Sequence, residues 1–203
     1  MIAVLRIFAK KIQSMTFRLD NILEQWAEHY LPLSHDPSKN SKAKSFYRIK
    51  TINMENELMR NQNSAKSPAM AYSIIIDGEM KGSKTISYEH TIYFFARATS
   101  NSLAKNAKQD ESIGIDQQQL MDEMVQDLLA FLFELRHTGK SPIPGQTFDA
   151  QTIAALKGLN LEEANWATIP NVVKFGEWHI MGLSIEQIVP RLLCINHEKY
   201  KSE

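Results

Sequence analysis

Apolar residues recur at three- and four-residue spacing from Thr16 to Tyr30. Phe17, Leu19, Ile22, Leu23, Trp26 and Tyr30 fall on one face, which predicts an amphipathic helix ended by Pro32. Ser, Pro, Asn and Lys dominate from Leu33 to Lys44 and predict an exposed loop. Phe46 to Met54 alternates imperfectly, as a strand does; Glu55 to Gln62 suits a helical turn and Asn61 to Pro68 a polar break. The β-branched run Ile74-Ile75-Ile76 predicts a strand over Ala71 to Asp77. A turn-rich stretch follows, Gly78 to Lys84, and then a second strand, Ile86 to Ala98. In that strand Ile86, Tyr88, His90, Ile92 and Phe94 share one face, and Ser87, Glu89, Thr91, Tyr93 and Phe95 the other. Together these strands predict a long β-hairpin with its tip at Gly78 to Lys84.

Ser100 to Ile115 has the polar composition of a long connection. The pattern then returns to helical spacing from Asp116 to Arg136, where Leu120, Met121, Met124, Val125, Leu128, Leu129, Phe131, Leu132 and Leu135 cover more than half the circumference. Asp116 and Gln119 are spaced as a capping box, Asp122 and Glu123 lie early, Arg136 and His137 late, and Gly139 is placed to stop the helix. Pro142 to Gly145 predicts a rigid turn, Asp149 to Lys157 a short helix ending at Gly158, and Asn171 to Phe175 and Trp178 to Val189 two strands. Helix, strands, helix and strands without a βαβ rhythm predict an α+β fold, a mostly antiparallel sheet packed by the N-terminal amphipathic helix and a central hydrophobic helix. The expected organisation is an N-terminal extension over 1–15, one α+β domain over 16–195 and a polar tail over 196–203.

Composition changes this picture little. The 203 residues are 43% hydrophobic and 23% charged, enough to build a core without disulfide or metal staples. The single cysteine, Cys194, excludes an internal disulfide and a multi-cysteine zinc site, and its apolar surroundings suit a small buried hydrophobe. No apolar run approaches the roughly 20 residues of a membrane helix, and Met1 to Ala9 lacks the order of charge and cleavage site of a signal peptide, so a cytoplasmic setting is expected. The net charge of zero argues against a dedicated nucleic-acid binder. It conceals an asymmetry: residues 1–110 carry a net +6 and residues 111–203 a net −6.

Two stretches invite a chemical reading. Gly78-Glu79-Met80-Lys81-Gly82-Ser83-Lys84-Thr85 resembles a phosphate-binding loop, but such a loop opens a helix whose terminal amides hold the anion, and here the chain continues as a strand. Asp77, Glu79 and Lys81 offer the carboxylates and lysine of a metal-dependent nuclease, with the local Glu-x-Lys spacing of the restriction-enzyme-like enzymes. Those enzymes place that pair in a core strand, whereas the pattern here predicts a polar turn. The six histidines, His29, His35, His90, His137, His179 and His197, lack metal-ligand spacing, and His90 and His179 fall within strands where a packing role is expected. No dinucleotide fingerprint or nucleophile elbow is present. Neither catalytic residues nor cofactor or metal ligands are expected.

The order of elements resembles that of the tail-terminator and tail-completion proteins of tailed bacteriophages and related contractile particles. It runs from the amphipathic helix, Phe17 to Tyr30, through an exposed loop to the hairpin, Ala71 to Ala98, the hydrophobic helix, Asp116 to Arg136, and a terminal β-rich segment, Trp166 to Val189. The resemblance implies a non-enzymatic, cofactor-free virion protein, assembled in the host cytoplasm. It would form a homo-oligomeric, head-to-tail ring that caps the tail tube or joins it to the neck. Tail-tube or neck proteins would be its partners, with no membrane and no direct nucleic-acid contact. No functional residue carries over, because the family offers no invariant signature. Gly78 to Lys84 and Asn101 to Ile115 are the expected contact segments. The competing readings are a phosphodiesterase using Asp77, Glu79 and Lys81, and an adaptor with no virion role.

Met15 immediately precedes the first amphipathic helix, and residues 1–14 carry no turn signals. Truncation to Met15 is therefore expected to leave the melting temperature nearly unchanged. A loss of several degrees in a thermal melt assigns Ile2, Leu5 and Phe8 to the core.

Overall fold

A computed structural model describes residues 19–37, 44–49, 66–74, 77–81, 85–97, 107–169 and 178–190. In chain order these form α1 (Asp20–His29), β1 (Phe46–Ile49), β2 (Ala69–Ser73), β3 (Asp77–Lys81), β4 (Thr85–Arg97), α2 (Ala107–Thr138), α3 (Ala150–Leu156), β5 (Leu159–Ile169) and β6 (Trp178–Pro190). The class is α+β, as the pattern predicts. The strands make one six-stranded sheet in the order β1-β2-β4-β6-β5, with β3 also pairing to β4. Only β1 and β2 run parallel; every other pair is antiparallel.

The centre of the sheet is the ladder between β4 and β6, which runs unbroken from Thr85↔Pro190 to Arg97↔Trp178. β4 alternates as expected. His90, Ile92, Phe94 and Ala96 are buried on the face that meets α2, together with Met70, Tyr72, Met181, Leu183 and Ile185. α2 presents Met121, Met124, Val125, Leu128, Leu132 and Leu135 to that face, all fully buried, and Ile22, Leu23 and Trp26 of α1 complete the core. On the opposite face a second cluster joins Ile49, Ala69, Ala71, Phe95, Trp178 and Ile180, with Tyr47, Tyr93 and Ile169 packed against it.

Several elements depart from the pattern's expectation. The chain from Leu33 is not uniformly exposed: Leu33 is fully buried and His35 nearly so, while residues 38–43 lie outside the described set. β2 begins at Ala69 and ends at Ser73, so Ile74 falls beyond it, donating its amide to Ile49 O as it leaves the sheet. The rest of the isoleucine run lies outside the described residues. Asp77–Lys81 is strand rather than turn, and residues 82–84 lie outside the described set.

α2 starts at Ala107, so Asp116 is an interior helical residue and not a cap; Gln119 donates to Glu123 instead of closing a box. Residues 107–115 have no apolar stripe, but extending a nucleated helix costs far less than starting one. β5 was hidden, because Glu162 and Glu163 and a register shift between Asn160 and Asn165 break the alternation that marks a strand. Of the candidate strand Phe46 to Met54, Phe46–Ile49 forms β1 and residues 50–54 lie outside the described set, as do the candidate strand Asn171 to Phe175 and the helical turn Glu55 to Gln62. Gly139 (φ 68°) ends α2 as expected, donating its amide to Leu135 O, and Asp149 caps α3 through Thr152 N.

Leu128 is fully buried at the centre of α2. Leu128→Ala is expected to destabilise the fold by about 2–5 kcal/mol, the range for cavities in a packed core. Urea unfolding followed by circular dichroism measures the loss.

Candidate functional site

Asp77, Glu79 and Lys81 occupy alternate positions of β3, and the side chains of Glu79 and Lys81 share one side of that strand. Their cross-strand neighbours are Glu89, Ser87 and Thr85. Lys81 forms an ion pair with Glu186 of β6, and the Ser87 hydroxyl donates to the same carboxylate. The Lys81 hydrogen bond, followed by that from Ser87, holds the Glu186 carboxyl below the usual carboxylate range; Glu186 in turn raises Lys81. Glu79 is exposed. The lysine is thus engaged within the sheet, and Glu79 lies in a strand at the molecular surface. Thr85 continues directly as β4, so the phosphate-loop resemblance has no helix behind it. Among the described residues, no three His, Cys, Asp or Glu side chains are placed to hold a metal ion. None of the described helices is long and apolar enough to cross a membrane.

The buried polar groups serve packing. His90 is fully buried, with Nδ1 2.9 Å from the Tyr72 hydroxyl and Nε2 3.1 Å from Gln187 Oε1. Gln187 Nε2 donates to Ala155 O, so its oxygen faces His90. The ring proton therefore sits on Nε2, and Nδ1 accepts from Tyr72, whose oxygen lies 3.4 Å from the Leu19 amide. Four elements are joined by this chain, which leaves the imidazole no free nitrogen for chemistry. A second cluster ties α1 to β1. Arg48 donates to Asp20 Oδ2 (3.0 Å) and to both oxygens of Glu24 (2.9 and 2.6 Å). His35 lies beside them, its Nε2 3.9 Å from Glu24 Oε1. His29 is exposed and contacts Gln25 O; His137 borders an open depression with Ala130, Phe133, Glu134, Arg136 and Lys157; His179 is half-buried in β6. Cys194 and His197 lie outside the described residues.

The sheet margins differ sharply from one another. At β1 the amides of Ser45 and Phe46 both donate to His35 Nδ1, at 3.2 and 3.3 Å, so the start of this edge is closed from within. β3 exposes Gly78, Glu79, Met80 and Lys81, and Met80 retains 54% of its accessible surface. β5 is exposed from Glu162 to Thr168 except for the half-buried Ala164, and Asn165–Ile169 carries no charge. Trp166, 40% accessible, lies on the helix side of the sheet beside Leu183, its indole N–H donating to Asp122 at 2.6 Å. Among the described strands none pairs with the outer side of Asn165–Ile169, and an uncharged, β-prone edge is an invitation to strand addition. Sequence reading put the contact segments at Gly78 to Lys84 and Asn101 to Ile115. The first overlaps β3, the second overlaps the start of α2, and β5 was missed because its alternation is broken.

Burial holds both His90 and His35 below the ordinary imidazole range, opposed at His90 by the Gln187 hydrogen bond and at His35 by Glu24. An unfolded imidazole takes up its proton near about pH 6.5, whereas these buried rings resist it to lower pH. Their contribution is therefore complete above that value and is lost as the pH falls through the folded pKa values. Urea titrations at about pH 7.5 and about pH 5.5 are expected to show this loss, and His90→Gln to show a smaller one.

Comparison with models of known protein families gives no match, and no curated protein matches the chain either.

Proposed function

We propose that the protein is a structural assembly subunit of a phage tail or contractile particle. Its copies would join head to tail in a ring that caps the tail tube or connects it to the neck. The observation that carries this reading is the uncharged, exposed stretch Asn165–Thr168 of β5, which has no outer partner among the described strands and lies at the opposite end of the sheet from the exposed β3. A sheet whose described strands end in two unlike margins suits a contact in which one patch of a subunit meets a different patch of the next. The element order supports the same reading: an amphipathic helix, strands converging on one long strand, a hydrophobic helix and a terminal β segment. The split of charge, +6 over residues 1–110 and −6 over residues 111–203, supplies a means of orienting the encounter.

One observation favours a metal-dependent phosphodiesterase as the second reading. Glu79 and Lys81 lie in a strand rather than a turn, as that chemistry requires, with Glu186 and Glu89 on the same side of the sheet. Against it stands the engagement of Lys81 by Glu186.

Light scattering and negative-stain microscopy, alone and with a tail-tube protein, are expected to reveal closed rings. Their assembly should slow as salt rises, because exposed charges are screened beyond roughly 8 Å at physiological ionic strength. The same preparation is expected to leave plasmid DNA and ATP intact in Mg²⁺ or Mn²⁺. Cleavage that disappears in Glu79→Ala replaces the assembly reading with the enzymatic one.

A further inference from the structure

We propose that His35 is a proton-operated latch on the edge of β1, shut while its Nδ1 accepts the amides of Ser45 and Phe46 and released when that nitrogen takes up a proton. The latch acts on one margin of a single subunit and does not depend on the assembly reading.

The turn after α1 holds the ring in place. Leu33 and Ser34 both donate their amides to Tyr30 O, and His35 donates its own to Ala27 O at 2.9 Å. The residue is 5% exposed, and its ring meets Phe46 edge to face. Opposite the ring the chain enters β1. Ser45 O accepts from Met70 N and Ile49 O from Ile74 N, so alternate residues face β2 and the amide of Phe46 faces away from it. That outward amide and the one before it are the pair that His35 Nδ1 receives, at 3.3 and 3.2 Å. The imidazole thus stands where a neighbouring strand would supply an acceptor.

Nδ1 accepts only while it carries no proton, which leaves the ring hydrogen on Nε2, 3.9 Å from Glu24 Oε1. A proton added at Nδ1 turns the acceptor into a donor, and two amides at a buried position then face an N–H that cannot receive them. The closed arrangement and the charged ring are incompatible. Burial works most strongly against the charge, Lys44 and Arg48 add to it, and Glu24 of α1 and Asp36 of the turn oppose it. Arg48 is itself held by Glu24 and Asp20, and Lys66, ahead of β2, donates to Leu33 O. Once the ring reaches water it takes up its proton near about pH 6.5. Opening therefore binds a proton, and its equilibrium constant rises about tenfold for each pH unit below that value until the closed ring titrates as well. His90 differs, because both its nitrogens meet side chains and its protonation frees no edge amide.

Hydrogen exchange of assigned amides by NMR, corrected for the intrinsic effect of pH, tests the latch in the full chain. Phe46 is expected to be less protected than Phe94 of β4 throughout, and to lose about tenfold in protection between about pH 6.5 and about pH 5.5. His35→Asn, whose side-chain oxygen accepts at the place of Nδ1 but does not titrate, is expected to flatten the Phe46 profile. In the unmodified chain the fall is expected to level off where nitrogen shifts show Nδ1 of His35 taking up its proton. Protection at Phe46 that does not change with pH overturns the proposal. So does equal protection of Phe46 and Phe94, the sign of exchange through global unfolding alone, or an unaltered pH dependence in His35→Asn. A fall at Phe46 unrelated to the titration of His35 also overturns it, whether or not the variant folds.

Discussion

The pairing of β4 with β6 is the constraint on which the other elements depend. Its register runs without a shift from Thr85↔Pro190 to Arg97↔Trp178, so the inward or outward direction of every side chain on both strands is fixed at once. A slip of one residue would exchange Ile92 and Phe94 for Tyr93 and Phe95 beneath α2. The ladder also sets the margins of the sheet: β2 and β3 share one side of β4, and β5 takes the far side of β6.

α2 follows from that ladder. Its apolar arc is wide because it meets β4, β5 and β6 as well as α3. The polar cross-links then fix the elements around it. Tyr72, His90, Gln187 and Ala155 connect β2, β4, β6 and α3 through one buried chain of hydrogen bonds. Arg48 fixes α1 to β1 by a bidentate contact to Glu24 and a further bond to Asp20. Arg136 reaches from the last turns of α2 to Leu159 O and Glu162, anchoring the start of β5. Burying such groups is favourable only while each keeps its partner.

The unequal treatment of the margins gives the fold its directional character. β1 is closed by His35, β3 carries charge and a glycine, and β5 offers uncharged residues with an exposed tryptophan. Proteins commonly blunt their free strands against unwanted pairing. Here the blunting is strongest at β1 and weakest at β5. The head-to-tail contact proposed above would use that difference, because contacts that repeat in one direction require two unlike surfaces.

The α+β class, α1, the alternating faces of β4, the buried stripe of α2 and the stop at Gly139 are all determined by the sequence alone. In each, burial repeats with the period of its own backbone, so local order and tertiary environment carry the same signal. The histidine in β4 was also legible as a packing residue, though not its partners, since Tyr72 and Gln187 lie far from it along the chain. Tertiary structure decided the rest. The early start of α2 depends on propagation from its buried part, and Asp77–Lys81 becomes strand only because β4 is there to pair with it. β5, with two glutamates and a shifted register, takes its identity from β6. Which margins stay open could not be read from the chain, because an edge is defined by the neighbour it lacks.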